Sequence, residues 1–250
     1  MPRMFESTIH ELAPTGVLRV GVAVGPAASP GWTVLDPATG EPRGVAVDLG
    51  RALAERTGVP CEIVRFGSSG EMTDALAAAT IDVAFMPVDD ERKRAVAFGP
   101  DYALGTSTYL VPAGSAIASI ADVDRAGMRV GGVEATTTIR AARRSLSRAE
   151  VTGTTGADEL LALLRDGELD AMALGRGSLT ELAPLVPGSR ILEGHFWATG
   201  TAIAVPKGRP AALEYASAFL EDAKADGSVQ AAFDRARLTD ASVAPPGSVS

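Results

Sequence analysis

The stretch Glu71-Met-Thr-Asp-Ala-Leu-Ala-Ala-Ala-Thr-Ile-Asp-Val-Ala-Phe-Met-Pro-Val88 decides the fold class. Glu71 to Ala79 is alanine-rich and reads as a helix, and Ile81 to Val88 reads as a buried strand directly after it. Upstream, Leu18 to Val24 is a valine-rich strand that feeds a loop holding Gly25, Pro26 and Pro30. Val45 to Thr57 places Val47, Leu49, Leu53 and Ala54 on one helical face and stops at Gly58. Cys61 to Phe66 is a further strand. The order is βαβαβ, which requires a parallel sheet with helices on its faces.

Downstream the same order returns. Met128 to Val133 is a strand, Thr136 to Ser145 a helix with a threonine-rich start, and Val151-Thr152 opens a weak strand. Ala157 to Arg165 is a strongly amphipathic helix and Leu169 to Leu174 a strand. Two such units in tandem predict two lobes rather than one large sheet. With no exact internal repeat, the reading is similar architecture, not duplication. Thr106 to Val111 and Gly200 to Val205 read as connectors, and Ala211 to Arg237 as a final helical region. The tail from Ala244 is expected to be loose.

The 250 residues are 46% hydrophobic and 22% charged, enough for packed cores and unlike a disordered chain. Lys plus Arg is 23 against 31 Asp plus Glu, a net charge of -8, which argues against a nucleic-acid binder. One cysteine, Cys61, forbids an intrachain disulfide and a multi-thiolate zinc site. The two histidines, His10 and His195, are far apart in sequence, which disfavours a His-based metal site or catalytic triad without excluding a single acid–base histidine; no metal and no cofactor is expected. No apolar run reaches the ~18 residues of a membrane span, so the chain is read as not membrane-spanning. Met1 to Ala13 reads as a short amphipathic helix, not a secretory signal. The localisation read from this is cytoplasmic as the sequence stands, or periplasmic or extracellular if a leader has been trimmed.

From Asp82 the chain continues Val-Ala-Phe-Met-Pro-Val-Asp-Asp-Glu-Arg-Lys-Arg-Ala-Val-Ala-Phe-Gly-Pro-Asp-Tyr102. This resembles the strand, Thr-x-x-Arg and Phe-Ser-x-Pro-Tyr pattern of the family 3 solute-binding proteins of ABC transporters, with Arg92, Phe98 and Tyr102 on the matching positions. Gly44-Val-Ala-Val-Asp-Leu49 is similar to the family's Gly-Phe-x-x-Asp-Leu, and Ala204-Val-Pro-Lys-Gly208 falls near its second crossover. The resemblance covers about residues 14–237. It implies an α/β, two-lobed periplasmic-binding-protein-like type II fold, two α/β lobes joined by two crossover strands. Lobe 1 would hold 1–103 plus 203–250 and lobe 2 would hold 104–202, with the ligand cleft between them. Function would be capture and lobe closure by a monomer, with an ABC permease as partner.

The candidate ligand residues are Arg92, Thr136, Thr137, Arg176, Ser69, Pro87 and Trp32. On the sequence alone Arg92 sits in the charged run Asp89–Arg94 and reads as solvated; the resemblance instead makes its guanidinium the fork that holds a ligand carboxylate. Thr136 and Thr137 open a helix after a strand, which suits an anion site and equally suits ordinary capping. Ser68 and Ser69 lie before another helix and either cap it or meet ligand. Pro87 and Asp89 stand where the family usually carries threonines, and proline offers no N–H. Trp32 reads as a lid or core ring, or as a ring facing the ligand; Phe196 and Trp197 line the cleft edge or pack beneath it.

Arg176 stands where relatives that bind α-amino acids commonly carry an aspartate for the ammonium, and Ala23 or Val24 takes the place of the other acidic group. The expected ligand is therefore a small carboxylate, with α-amino acids bound weakly. The rival reading is a cyclohexadienyl-dehydratase-like enzyme on the same fold, with Glu134 or Asp89 as proton donor.

Overall fold

The computed structural model describes residues 2–24, 33–238 and 241–250. These form two compact units. Unit 1 holds 2–24, 33–104, 199–238 and 241–250, and unit 2 holds 105–198.

Unit 1 begins with α1 (Pro2–Leu12), β1 (Leu18–Ala23), a small antiparallel pair β2 (Val34–Leu35) and β3 (Pro42–Arg43), and α2 (Val45–Thr57). Then come β4 (Cys61–Phe66), α3 (Ser69–Ala77), β5 (Val83–Pro87), α4 (Asp90–Ala95) and the long strand β6 (Val96–Val111), along which the chain passes into unit 2. Unit 2 continues with β7 (Arg129–Val133), α5 (Thr137–Ser145), β8 (Glu150–Thr154), α6 (Ala157–Arg165), β9 (Ala171–Gly175), α7 (Arg176–Leu182) and β10 (Arg190–Ile191). The chain returns along β11 (Trp197–Pro206) to α8 (Pro210–Ala225), α9 (Ser228–Ala236) and β12 (Ser242–Val243).

In unit 1, β1 lies between β4 and β5, all parallel, and β11 closes on β5 antiparallel. In unit 2, β7 lies between β8 and β9 in parallel, and β6 joins β9 antiparallel. The core of unit 1 packs Leu18, Val20, Leu49, Leu53, Phe85 and Tyr102 against Phe219 and Phe233 of the last two helices. Phe85 and Phe233 meet the Tyr102 ring edge-on. The amphipathic N-terminal helix is present, and Glu11 near its end accepts from the Ala211 and Ala212 N–H groups, satisfying free donors at the start of α8.

The two units share more than architecture. In unit 1, Arg19 N and Nε donate to Asp82 Oδ2, and Nη2 donates to Asp82 Oδ1 at 2.8 Å and to the Ala79 carbonyl at 3.0 Å. In unit 2, Arg129 N and Nε donate to Asp170 Oδ2, and Nη2 donates to Asp170 Oδ1 at 2.9 Å and to the Gly167 carbonyl at 2.7 Å. Glu71 accepts from Gly67 N as Glu159 accepts from Thr155 N. A Cβ on Gly21 of β1 would strike Ile81, and one on Gly131 of β7 would strike Leu169, each 2.4 Å away. The chain is thus matched position for position from Glu71–Pro87 to Glu159–Gly175. This corrects the reading that the units share layout alone.

Three other expectations change. The first connector is the end of a strand that starts ten residues earlier, at Val96. Asp90 to Ala95, read only as a charged run, is a helix because Asp89 caps it. The tail from Ala244 is not loose: it follows β12, which pairs with β6, and Ala244 N donates to the Tyr102 carbonyl while the Ser248 carbonyl accepts from Asp101 N.

The repeat yields two predictions. Ala79 holds φ 56 where its counterpart Gly167 holds φ 73, a left-handed conformation that costs an L-residue roughly 1–2 kcal/mol. Ala79→Gly is expected to raise stability by about 0.5–1 kcal/mol in denaturant unfolding, the gain being reduced by the freedom glycine adds to the unfolded chain. Asp82 is completely buried and also pairs with Arg209 at 2.9 Å, whereas Asp170 is partly exposed. Asp82→Asn leaves two arginines without their counter-charge and should cost about 3–5 kcal/mol. Asp170→Asn should cost distinctly less in the same measurement.

Candidate functional site

In unit 1 the site is built around Arg92. β5 ends at Pro87, and two residues later the Asp89 side chain accepts from Arg92 N at 2.9 Å, starting α4. This cap places Arg92 in the first turn with its side chain turned inward. Arg92 is 2% exposed, while Asp90, Glu91, Lys93 and Arg94 around it are exposed. The solvated reading of Arg92 is therefore excluded. Its Nη1 donates to the Pro87 carbonyl at 2.9 Å and its Nη2 to Ser69 Oγ at 2.7 Å.

The two serines divide the work left open by the sequence. Ser68 caps α3 by accepting from Glu71 N at 3.2 Å, and Ser69 turns its hydroxyl to the guanidinium. Pro87 lacks an N–H but uses its carbonyl on Arg92. The structure thus brings Arg92, Ser69 and Pro87 together. The segment carrying them is also fastened to β11: Val88 N donates to the Gly200 carbonyl at 3.0 Å, and Thr199 Oγ1 donates to the Val88 carbonyl at 3.1 Å.

In unit 2, Thr136 is the N-cap of α5. Its hydroxyl accepts from Ile139 N at 3.2 Å and donates to the Val133 carbonyl at 2.8 Å. Thr137 is buried at the first position of the helix, and Thr138 shares a hydrogen bond with Ser107 of β6 at 3.1 Å. Arg176, at the start of α7, donates to the carbonyls of Leu192 and Gly194, tying that helix to the chain leading into β11. Glu134 is gripped by both terminal nitrogens of Arg143, which holds its carboxyl below the usual range.

Phe196 stacks on Tyr109 with ring centroids 4.4 Å apart, so it packs within unit 2. The Trp197 ring lies under the Arg144 guanidinium at 5.1 Å, and its indole N–H is buried with no hydrogen-bond partner among the described residues. Trp32, with the loop 25–31, lies outside the described residues. The sequence reading missed Ser107 and Arg144, because each acts through a neighbour distant in sequence. The cap at Asp89 had a local signal, an aspartate just before a run of helix formers. Among the described residues, no group of three or more His, Cys, Asp or Glu could hold a metal ion. Nor is any helix of these residues long and apolar enough to cross a membrane.

No curated protein matches the chain. Solved structures do. An ancestral amino acid-binding protein, described as a precursor of cyclohexadienyl dehydratase, is 26% identical with a TM-score of 0.77, over 91% of this chain and 98% of that one. An ancestral arginine-binding protein bound to glutamine is 28% identical with a TM-score of 0.74, over 88% and 97%. The arginine-bound form of truncated ArgBP from T. maritima is 26% identical with a TM-score of 0.73, over 86% and 99%. These likenesses agree with the α/β fold of two units joined by two strands, and a sequence model matches residues 20–236: the chain belongs to the bacterial extracellular solute-binding proteins, family 3.

Proposed function

We propose that the chain is the substrate-binding component of an ABC-transporter-like system and that it captures a small carboxylate on Arg92. The observation that carries this reading is the burial of Arg92 on two fixed neutral oxygens, the Pro87 carbonyl and Ser69 Oγ. A guanidinium held in one orientation has little rotamer freedom left to lose when an anion arrives. Thr137 and the α5 start, with Arg176, are the groups of unit 2 proposed to meet the same ligand, and closure of the lobes to exclude water. The protein works as a monomer with a permease partner. Its place is outside the cytoplasm, in line with the family's description as extracellular.

The relatives whose descriptions name a ligand hold amino acids. By the resemblance read from the sequence, an ammonium would be met at Ala23 or Val24, at the end of β1, and at Gly175 or Arg176, where β9 meets α7, and none of these is acidic. An ammonium buried there would lack a counter-charge, at a cost of several kcal/mol. A carboxylate without an ammonium is the better match. Capture is non-covalent. A dehydratase acid must hold its proton near neutrality, and Glu134 is pushed the opposite way by Arg143, while Asp89 caps α4. Steady turnover of prephenate above background would overturn the binding-only reading.

Two outcomes are expected. In a thermal-shift screen, succinate, glutarate and 2-oxoglutarate should stabilise the protein more than L-glutamine or L-arginine. Ligand at 100 times its Kd adds about 2.7 kcal/mol. Submillimolar binding of an ordinary L-amino acid, tighter than its deaminated analogue, would defeat this ligand class. Against the best carboxylate of that screen, Arg92→Ala should lose about 2–5 kcal/mol of affinity in calorimetry with the fold retained. An unchanged Kd would remove Arg92 from the site.

A further inference from the structure

The last nine residues return over unit 1 as a strap, held by polar contacts. After β12 pairs with β6, Asp101 N donates to the Ser248 carbonyl at 2.9 Å. Lys224 of α8, its side chain 2% exposed, donates to the Asp101 carbonyl at 2.9 Å and the Pro245 carbonyl at 3.1 Å, and pairs with Glu221 at 2.7 Å. Gly247 N donates to Glu221 Oε2. Ser250 Oγ then accepts from Gly200 N at 3.2 Å and donates to Asp101 Oδ2 at 2.7 Å. One hydroxyl therefore bridges the two strands that carry the chain out of unit 1 and back. The fit at this point is close: a Cβ on Gly200 would lie 2.3 Å from the Asp101 carboxyl, which has no room to give because Asp101 is 1% exposed.

The bridge continues toward the anion anchor. The carbonyl of the same Gly200 accepts from Val88 N, and Val88 stands between Pro87, whose carbonyl holds the Arg92 guanidinium, and Asp89, whose carboxylate caps the Arg92 helix. We propose that the strap, through Ser250 and Gly200, is a docking latch that positions the Arg92 anchor, so that its release loosens the Pro87–Arg92 segment. This rests on the reading of Arg92 as the ligand anchor. Ser250 is a positioning residue and touches no ligand. The latch is built to open: of its residues only Ala244 is fully buried, and Val249 is 75% exposed, so polar contacts rather than apolar burial hold it.

Burial pushes the Asp101 carboxyl up, against the opposing pulls of the Ser250 hydroxyl, Lys224 on α8 and Lys93 on α4; Glu221 is the acidic neighbour of Lys224. Asp101 Oδ1 has no hydrogen-bond partner among the described residues.

Amide hydrogen exchange on the full chain tests this, with Ser250→Ala, Ser250→Thr and a form lacking residues 242–250. Ser250→Ala and the deletion should speed exchange at Gly200, Val88 and Arg92 at least tenfold and leave Val130 and Met172 of unit 2 unchanged, and Ser250→Thr should restore protection. Exchange that rises only at Gly200 and at residues 101–104, or that Thr fails to restore, overturns the proposal. Succinate binding is read separately. If succinate fails to bind the wild type while the exchange pattern holds, the ligand assignment falls and the latch stands. If succinate binds the wild type and Ser250→Ala with equal Kd and equal exchange at Val88, the latch falls and the anchor stands.

Discussion

A buried guanidinium has to be met by oxygens fixed in place before any ligand arrives, because removing a charge from water without partners costs far more than a domain can spare. Much of the local structure of unit 1 follows from meeting that demand at Arg92. The Pro87 carbonyl is available because β5 ends there, and Ser69 Oγ is available because Ser68 takes the capping role. Asp89 supplies the cap that turns a charged run into a helix and aims Arg92 inward. Each is a short-range consequence of one residue's chemistry, and together they place a cation beyond the C-terminal end of β5, the end of a strand at which open α/β sheets bind ligands.

The layout was legible because it is written in hydrophobic period. Alternation of buried strands and one-sided helices is set by neighbours within a turn or two, and both βαβαβ orders follow from it. The correspondence between the units was not legible. Its carriers are backbone carbonyls and an arginine–aspartate fork, and the residues around them differ: Ala79 stands for Gly167, Met72 for Leu160, Ile81 for Leu169. The strap was hidden for the opposite reason. A segment of Pro, Gly and Ser has the composition of a loose tail, and only its contacts with Asp101, Lys224 and Gly200, all distant in sequence, hold it down.

The candidate residues separate by what already occupies them. Ser69 and Pro87 contact Arg92, so in the proposed site their part would be to fix a cation. Thr136 spends its hydroxyl on the helix it caps, which leaves the backbone donors of the first turn, rather than that oxygen, as what this position offers an anion. Arg176 is bonded to two carbonyls, and in the proposed site a guanidinium there would disfavour an ammonium whether or not it touches the ligand. Discrimination by repulsion needs no contact at all.

That distinction bears on how the proposed site would take a solute other than an amino acid. Keeping the carboxylate fork and exchanging an acidic residue for a neutral or cationic one changes one end of the recognised molecule and leaves the other untouched. Such an exchange at position 176 would leave the fold undisturbed, because that position follows β9, where the strand ends. The Arg19–Asp82 and Arg129–Asp170 forks lie at the opposite ends of the same strands, where they bind sheet to helix. Stability and specificity are thus assigned to opposite ends of each parallel sheet, and a change of ligand at one end leaves the charges at the other unaltered.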